Sequence, residues 1–429
     1  MICKATILKD EYEEAPSHSV ELNILGLIHM AFAFIVISWL NLGTFTYVMP
    51  YMTNYIRWGF FFAWFGLALT RNEKFVKNFF DQCWPLLSFY CYLFLLSLVV
   101  EKNLEVYIKS ISYLIMVYSI FLYYFDERYR KFQKILVAFL FLDLVVVGIN
   151  TFIHLQSNPM IARSLATGIE TLGTGTFRGI GSYGYFYSLV SIILLLGFLF
   201  LNYPKKKFLV LLLIISSVGL LVQAAFTIAI LFMFGFFVLL VILRYTDKYT
   251  FIAVAAALLG IILLLTFQGT FVLIFEQLSD IESIPHVVSV RFKELALFFS
   301  GNNISGTDVN ARFSLYLRSM NAFLNNILTG TILNDTNLYS SGGHSAWLDL
   351  LANFGIFSIP FFIFLFRAYK YCINRVSLFF RPFVKVYWLY YVCLGFVNTL
   401  LFANICNIWF LFLPLFISSF FKISEKNAV

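Results

Sequence analysis

The sequence predicts an all-α, polytopic integral membrane protein with about 12 transmembrane helices, forming a single transmembrane domain over residues 1–429. Apolar residues make up 61% of the chain and charged residues 12%, against about 45–50% and about 25% in soluble domains. Apolar runs near the length of about 20 residues that crosses a bilayer recur along the chain. The connectors between these runs alternate in their content of Lys and Arg.

Most of the predicted spans follow one another through very short connectors. The start of the second span is open between Thr44 and Tyr55, because Pro50 and Asn54 also fit an outer loop. The spans are predicted at Leu22–Leu40, Thr44–Leu69, Phe79–Val100, Leu104–Phe125, Phe132–His154, Ser182–Asn202, Phe208–Ala225, Phe226–Leu243, Thr250–Phe267, Ser345–Phe366, Phe383–Phe402 and Ile405–Phe421.

The alternation of basic residues predicts the orientation of the chain in the cytoplasmic membrane. With Met1 inside, 21 of the 30 Lys and Arg residues fall on inward segments, as cytoplasmic loops retain positive charge. An even number of spans then places both termini in the cytoplasm. The net charge of +8 is mostly this inward excess, so we expect membrane lipids as partners and no nucleic acid.

Two long connectors, 155–181 and 268–344, are predicted to be external loops. Long ordered loops are uncommon unless they carry function. The second is large enough for its own helices, and its apolar stripe has helical spacing. We expect an amphipathic helix with Asp308 as its N-cap, packed on the membrane domain or lying at the interface. The stripe consists of Phe313, Tyr316, Leu317, Met320, Leu324 and Ile327.

The two loops carry five arginines on the face where basic residues are not expected by default: Arg163, Arg178, Arg291, Arg312 and Arg318. A guanidinium binds phosphate oxygens through two parallel hydrogen bonds and keeps its charge at working pH. The alternative is that each arginine pairs with a nearby acid. On a helix, Arg312 would lie about 90° from the apolar stripe and Arg318 nearly opposite it.

His344 is the candidate general base. It follows Gly342 and Gly343, which permit a sharp turn into the tenth span. The positive end of that helix disfavours a protonated imidazole, and a neutral imidazole can accept a proton from a hydroxyl. The alternative is a helix-cap or interfacial histidine. Asp349 follows about one and a half turns later and is placed to pair with an arginine.

Three motifs resemble the bacterial O-antigen polymerase and O-antigen ligase superfamily. The first is Arg178-Gly-Ile-Gly181 before a span, and the second is Arg312-Phe-Ser-Leu-Tyr316 followed by the turn Asn325–Gly330. The third is His344-Ser-Ala-Trp-Leu348, with a glycine eleven residues after the histidine. The departures are Ile327 for the usual proline, Ser345 for asparagine, Asn353 for a frequent acid, and no arginine in the Gln223–Thr227 turn.

The resemblance implies a metal-independent glycosyltransferase of the GT-C type that needs no cofactor. It would polymerise polyprenyl-diphosphate-linked oligosaccharide repeat units into an O-antigen, capsule or exopolysaccharide at the outer membrane face. Arg178 and Arg312, with Arg163 and Arg318, would bind the diphosphate, and His344 would act on the acceptor hydroxyl. A chain-length regulator and a flippase are the implied protein partners.

Other functions remain open on the sequence alone. A ligase that moves finished polymer to another acceptor shares the donor, so the motifs do not separate it from a polymerase. A transporter of lipid-linked oligosaccharide is expected to place polar residues along a central pathway, whereas this chain concentrates them in external loops. A non-catalytic scaffold leaves the arginine-bearing loops without a purpose.

Overall fold

The protein is helical throughout the part of the chain that the computed structural model describes. The described residues are 24–41, 54–100, 104–167, 179–202, 207–224, 226–245, 268–281, 308–333, 341–400 and 403–420, with a few positions between 289 and 300.

The helices follow the apolar runs of the sequence in order. They are α1 (Ile24–Asn41), α2 (Asn54–Arg71), α3 (Glu73–Val99), α4 (Glu105–Tyr124), α5 (Arg130–Ser157), α6 (Ile161–Thr167), α7 (Tyr183–Asn202), α8 (Lys207–Gln223), α9 (Thr227–Tyr245), α10 (Gln268–Ser279), α11 (Asp308–Asn325), α12 (Ala346–Phe354), α13 (Ile359–Arg375), α14 (Arg381–Val397), α15 (Ala403–Asn407) and α16 (Leu413–Phe420). A π-helical turn joins α15 to α16.

Five helical segments among the described residues are long and apolar enough to cross a membrane: Lys74–Val99, Glu105–Tyr124, Glu127–Ser157, Tyr183–Asn202 and Ala346–Arg375. Shorter apolar helices occupy the predicted first, seventh, eighth and twelfth spans. The described part of the second predicted span is the helix Asn54–Arg71, and its predicted earlier start at Thr44 lies outside the described residues. The predicted ninth span, Thr250–Phe267, lies outside the described residues.

The core is centred on α4 and α7, whereas the outer helices turn large apolar side chains outward. All residues from Ile111 to Tyr124 in α4 are buried. In contrast, Phe94 of α3 is 51% exposed, Leu142 of α5 is 60% exposed and Phe208 of α8 is 81% exposed. Apolar surface of this extent is unfavourable in water. It is the surface expected of helices that contact lipid.

The tenth span, predicted at Ser345–Phe366, coincides with the candidate span Ala346–Arg375, but it is not one continuous α-helix. The helix breaks at Gly355, whose φ of 55° lies in the left-handed region, and a 3₁₀ turn leads into α13. A Cβ atom on Gly355 would lie 2.4 Å from the carbonyl oxygen of Ile327. The missing side chain therefore lets the turn after α11 approach the backbone at the break. After the break, α13 continues to Arg375, nine residues past the predicted end of the span at Phe366.

Part of the apolar stripe of α11 is exposed, although Tyr316 of the stripe donates to the Val397 carbonyl of α14 at 3.0 Å. Leu317, Met320 and Leu324 are 45%, 49% and 53% exposed, whereas Ser319 is only 1% exposed. The most deeply buried of these side chains is therefore a polar one. The helix packs on the membrane domain through Ser319 and Tyr316, and the exposed part of its stripe has the character expected at a membrane interface.

Candidate functional site

The turn that carries His344 is built from two glycines and packs against α11. Gly343 has a φ of 76°, which glycine adopts without steric cost. A Cβ atom on Gly342 would lie 2.1 Å from the carbonyl oxygen of Leu315, and the Gly342 N–H donates to Ser319 Oγ at 2.7 Å. The His344 side chain is exposed on this turn. It is therefore accessible to a substrate while its backbone is anchored.

A buried carboxylate, that of Asp349, anchors the same turn from inside. Its Oδ1 accepts hydrogen bonds from Ser319 Oγ at 2.6 Å and from the Gly343 N–H at 3.2 Å, and its Oδ2 accepts one from the Ser345 N–H at 3.0 Å. Asp349 and His344 also interact electrostatically. Asp349 was predicted to be placed for an arginine. Among the described residues, its hydrogen bonds come from a serine of α11 and from backbone amides on both sides of His344.

The first turn of α12 is fixed on α14. Ser345 is the N-cap: its Oγ accepts from the Leu348 N–H at 3.2 Å and donates to the Gly395 carbonyl at 3.2 Å. Trp347 Nε1 donates to the Val392 carbonyl at 2.8 Å. A Cβ atom on Gly395 would lie 2.0 Å from Trp347. Serine therefore supplies the N-cap, a role for which serine and asparagine are both favoured.

The turn after α11 docks on the opposite end of α12. The Ile356 N–H donates to the Ile327 carbonyl at 2.9 Å, and a Cβ atom on Gly330 would lie 2.2 Å from the Asn353 carbonyl oxygen. The Asn353 side chain donates to the Tyr107 hydroxyl of α4 at 2.7 Å. The second and third sequence motifs thus form one interlocked unit, anchored to the core helix α4.

Of the two arginines on α11, Arg312 occupies a backbone position on the same helix face as Leu315 and Ser319. Positions 315 and 319 follow position 312 by three and seven residues, so all three share one face of a helix. Leu315 and Ser319 on that face contact the glycine turn. The side chain of Arg312 itself lies outside the described part of the chain. Arg318 is exposed on a different face of α11.

The other two candidate arginines belong to the segment between α5 and α7. Arg163 is half-buried in α6, with its Nη1 atom buried. Arg178 lies outside the described residues. The chain directly after it is fixed, because Gly179 has a φ of 75° and the Gly181 N–H donates to Thr151 Oγ1 of α5 at 2.7 Å. The described contacts bring the His344 turn together with α11.

The arrangement presents an imidazole on a rigid turn above a buried carboxylate. The hydrogen bonds around Asp349 fix the backbone on both sides of His344, and a fixed position is what a proton-transferring group requires. Sequence reasoning missed Ser319, which joins α11 to this network. Its signal was a small polar residue seven positions after Arg312, on the face that lacks the apolar stripe. Within the described residues, no group of three or more His, Cys, Asp or Glu side chains is arranged to hold a metal ion.

In comparisons with known proteins, no protein-family model and no curated protein matches the chain. Any function for the interlocked unit of α11 and α12 must therefore be argued from its own residues.

Proposed function

We propose that this chain is a GT-C-like glycosyltransferase of about twelve spans, with both termini in the cytoplasm. It polymerises polyprenyl-diphosphate-linked repeat units into a surface polysaccharide at the outer face of the cytoplasmic membrane. One observation carries the proposal. The motifs that contain Arg312 and His344, 32 positions apart in the sequence, meet in one hydrogen-bonded unit at the end of an apolar helix.

The chemistry of the proposed transfer fits these residue types. The bond between the sugar and the diphosphate oxygen breaks, and a new bond forms between the same sugar carbon and the acceptor hydroxyl. His344 takes the hydroxyl proton. Arg312 and Arg178, with Arg163 and Arg318, stabilise the negative charge that develops on the departing lipid diphosphate. The exposed apolar surfaces of the outer helices accommodate the polyprenyl tail.

Incubating the purified protein with a single lipid-linked repeat unit as its only substrate tests this function. We expect a ladder of chain lengths on gel electrophoresis, because each product can serve again as donor. Product that appears only after a foreign acceptor is added would replace the polymerase with a ligase. Movement of the unit between leaflets of proteoliposomes at constant length would replace it with a transporter.

A further inference from the structure

A cavity of about 920 Å³ lies among α3, α13 and the turn after α4, at the end of the helices remote from the candidate site. On α4, Tyr107 bonds Asn353 of the interlocked unit, whereas Leu122 lines the cavity. These two positions are 15 residues apart, or roughly 22 Å along a helix. The cavity therefore opens near the membrane face that the basic residues predict to be cytoplasmic.

Cations dominate the charge of this cavity. Its basic lining residues are Lys74, Arg128, Arg367, Lys370 and Arg375, and its acidic lining residues are Asp126 and Glu127. The general retention of positive charge in cytoplasmic loops explains why basic residues lie on this side. It does not explain why five of them surround one recess.

Three of the cations lie along α13, each packed over an aromatic ring. The distances to the ring centroids are 5.9 Å for Arg367 over Trp84, 4.7 Å for Lys370 over Phe366 and 4.3 Å for Arg375 over Tyr371. Such stacking restrains a flexible side chain while leaving its N–H groups able to donate. The three charges are therefore held along one side of the cavity.

Arg367 has unused hydrogen-bonding capacity. Its Nη2 donates to the Asp81 carbonyl, but its Nε is buried and has no hydrogen-bond partner among the described residues. Gln82 also lines this cavity, and its Oε1 atom is buried with no hydrogen-bond partner among the described residues. Leaving buried polar atoms unbonded costs free energy. An anionic ligand that reaches Arg367 Nε would remove part of that cost.

The carboxylate of Asp126 is already engaged within the protein. Arg128 donates to both of its oxygens, at 2.8 to 3.1 Å. Burial tends to raise the pKa of the Asp126 carboxyl, but the hydrogen bonds from Arg128 outweigh this effect and keep the pKa below its usual value. Asp126 therefore remains charged and bound to Arg128, and the α13 cations stay in excess.

We infer that this cavity binds a phosphate group, carried either by a membrane lipid or by a soluble molecule. The apolar part of the lining, which includes Phe75, Phe125 and Ile363, suits a phosphate that is attached to an acyl chain. Arginine and lysine on restrained side chains are the groups that recognise phosphate oxygens. This inference does not depend on the proposed glycosyltransferase activity.

The test uses lipid-depleted full-length protein in neutral detergent with two separate probes, phosphatidylglycerol and inorganic pyrophosphate. Binding is followed by native mass spectrometry and by the shift in melting temperature. The variants are Arg367→Gln and, in case that variant fails to fold, Lys74→Gln/Lys370→Gln, which alters only exposed lysines. Lys131→Gln/Lys134→Gln is the matched control, because it removes two exposed cations on the same predicted side but outside the cavity.

We expect the double lysine variant to bind the preferred probe on the order of tenfold more weakly, and the control to bind it like the unmodified protein. Binding of phosphatidylglycerol alone identifies a lipid phosphate, and binding of pyrophosphate identifies a soluble one. Equal loss in the cavity and control variants, or no binding of either probe by the unmodified protein, overturns the inference.

Discussion

Replacing His344 with alanine is expected to slow polymer formation by roughly 10²–10⁴-fold, the usual contribution of a positioned general base. The side chain is exposed, and the backbone hydrogen bonds that fix this turn to Asp349 come from the Gly343 and Ser345 N–H groups. Its removal should therefore leave the fold intact. The measurement is the initial rate of ladder formation from a single lipid-linked repeat unit.

His154→Ala is the matched control, since this histidine lies half-buried near the end of α5 and has no role in the proposed transfer. Both variants should be extracted at normal yield and melt within a few degrees of the unmodified protein. Polymer formed by His344→Ala at the unmodified rate would remove His344 from the mechanism.

Replacing Arg312 with alanine is expected to lower the rate by roughly 10²–10³-fold, the typical cost of losing one preorganised donor to a developing anion. Arg312→Lys should recover little of this loss, because an ammonium lacks the planar fork that holds two phosphate oxygens. Position 312 shares a face of α11 with Ser319, which bonds the Gly342 N–H of the His344 turn. The same ladder assay measures both variants.

Arg318→Ala is the internal comparison for Arg312. The two arginines lie on one helix, but Arg318 is exposed on another face, so its contribution to a shared site should be smaller. An equal loss in both variants would indicate a general effect of charge. Full recovery with Arg312→Lys would argue against a two-bond contact to phosphate.

The positions of most helices follow from the sequence because apolar length is a physical requirement of a membrane span. The predicted seventh and eighth spans, Phe208–Ala225 and Phe226–Leu243, correspond to helices Lys207–Gln223 and Thr227–Tyr245. Hydropathy places such boundaries within a few residues, since the backbone of a lipid-exposed segment must satisfy its own hydrogen bonds.

The orientation of helix faces could not be predicted in the same way. On α11, the apolar stripe indicated a protein-facing or interface-facing side equally well, because lipid and protein interior are both apolar. The helix break at Gly355 was also missed. Its cause is the close approach of Ile327, a contact between segments that no local pattern in the sequence encodes.

In the candidate site too, local features follow from the sequence, whereas contacts between distant segments do not. The glycine pair before His344 predicts a sharp turn, and Gly343 adopts the left-handed backbone. The contact between Ser319 and Asp349 spans 30 residues and depends on how α11 packs against α12. A carboxylate in a sequence does not reveal whether an arginine or a serine will reach it.

The most direct test of a shared diphosphate site is photocrosslinking with a lipid-linked repeat unit that carries a diazirine next to its diphosphate. We expect mass spectrometry to locate the label in peptides from α11 and from the His344 turn, with labelling suppressed by excess unmodified substrate. Label confined to the basic cavity among α3 and α13, or label in α11 that substrate does not suppress, would contradict the account.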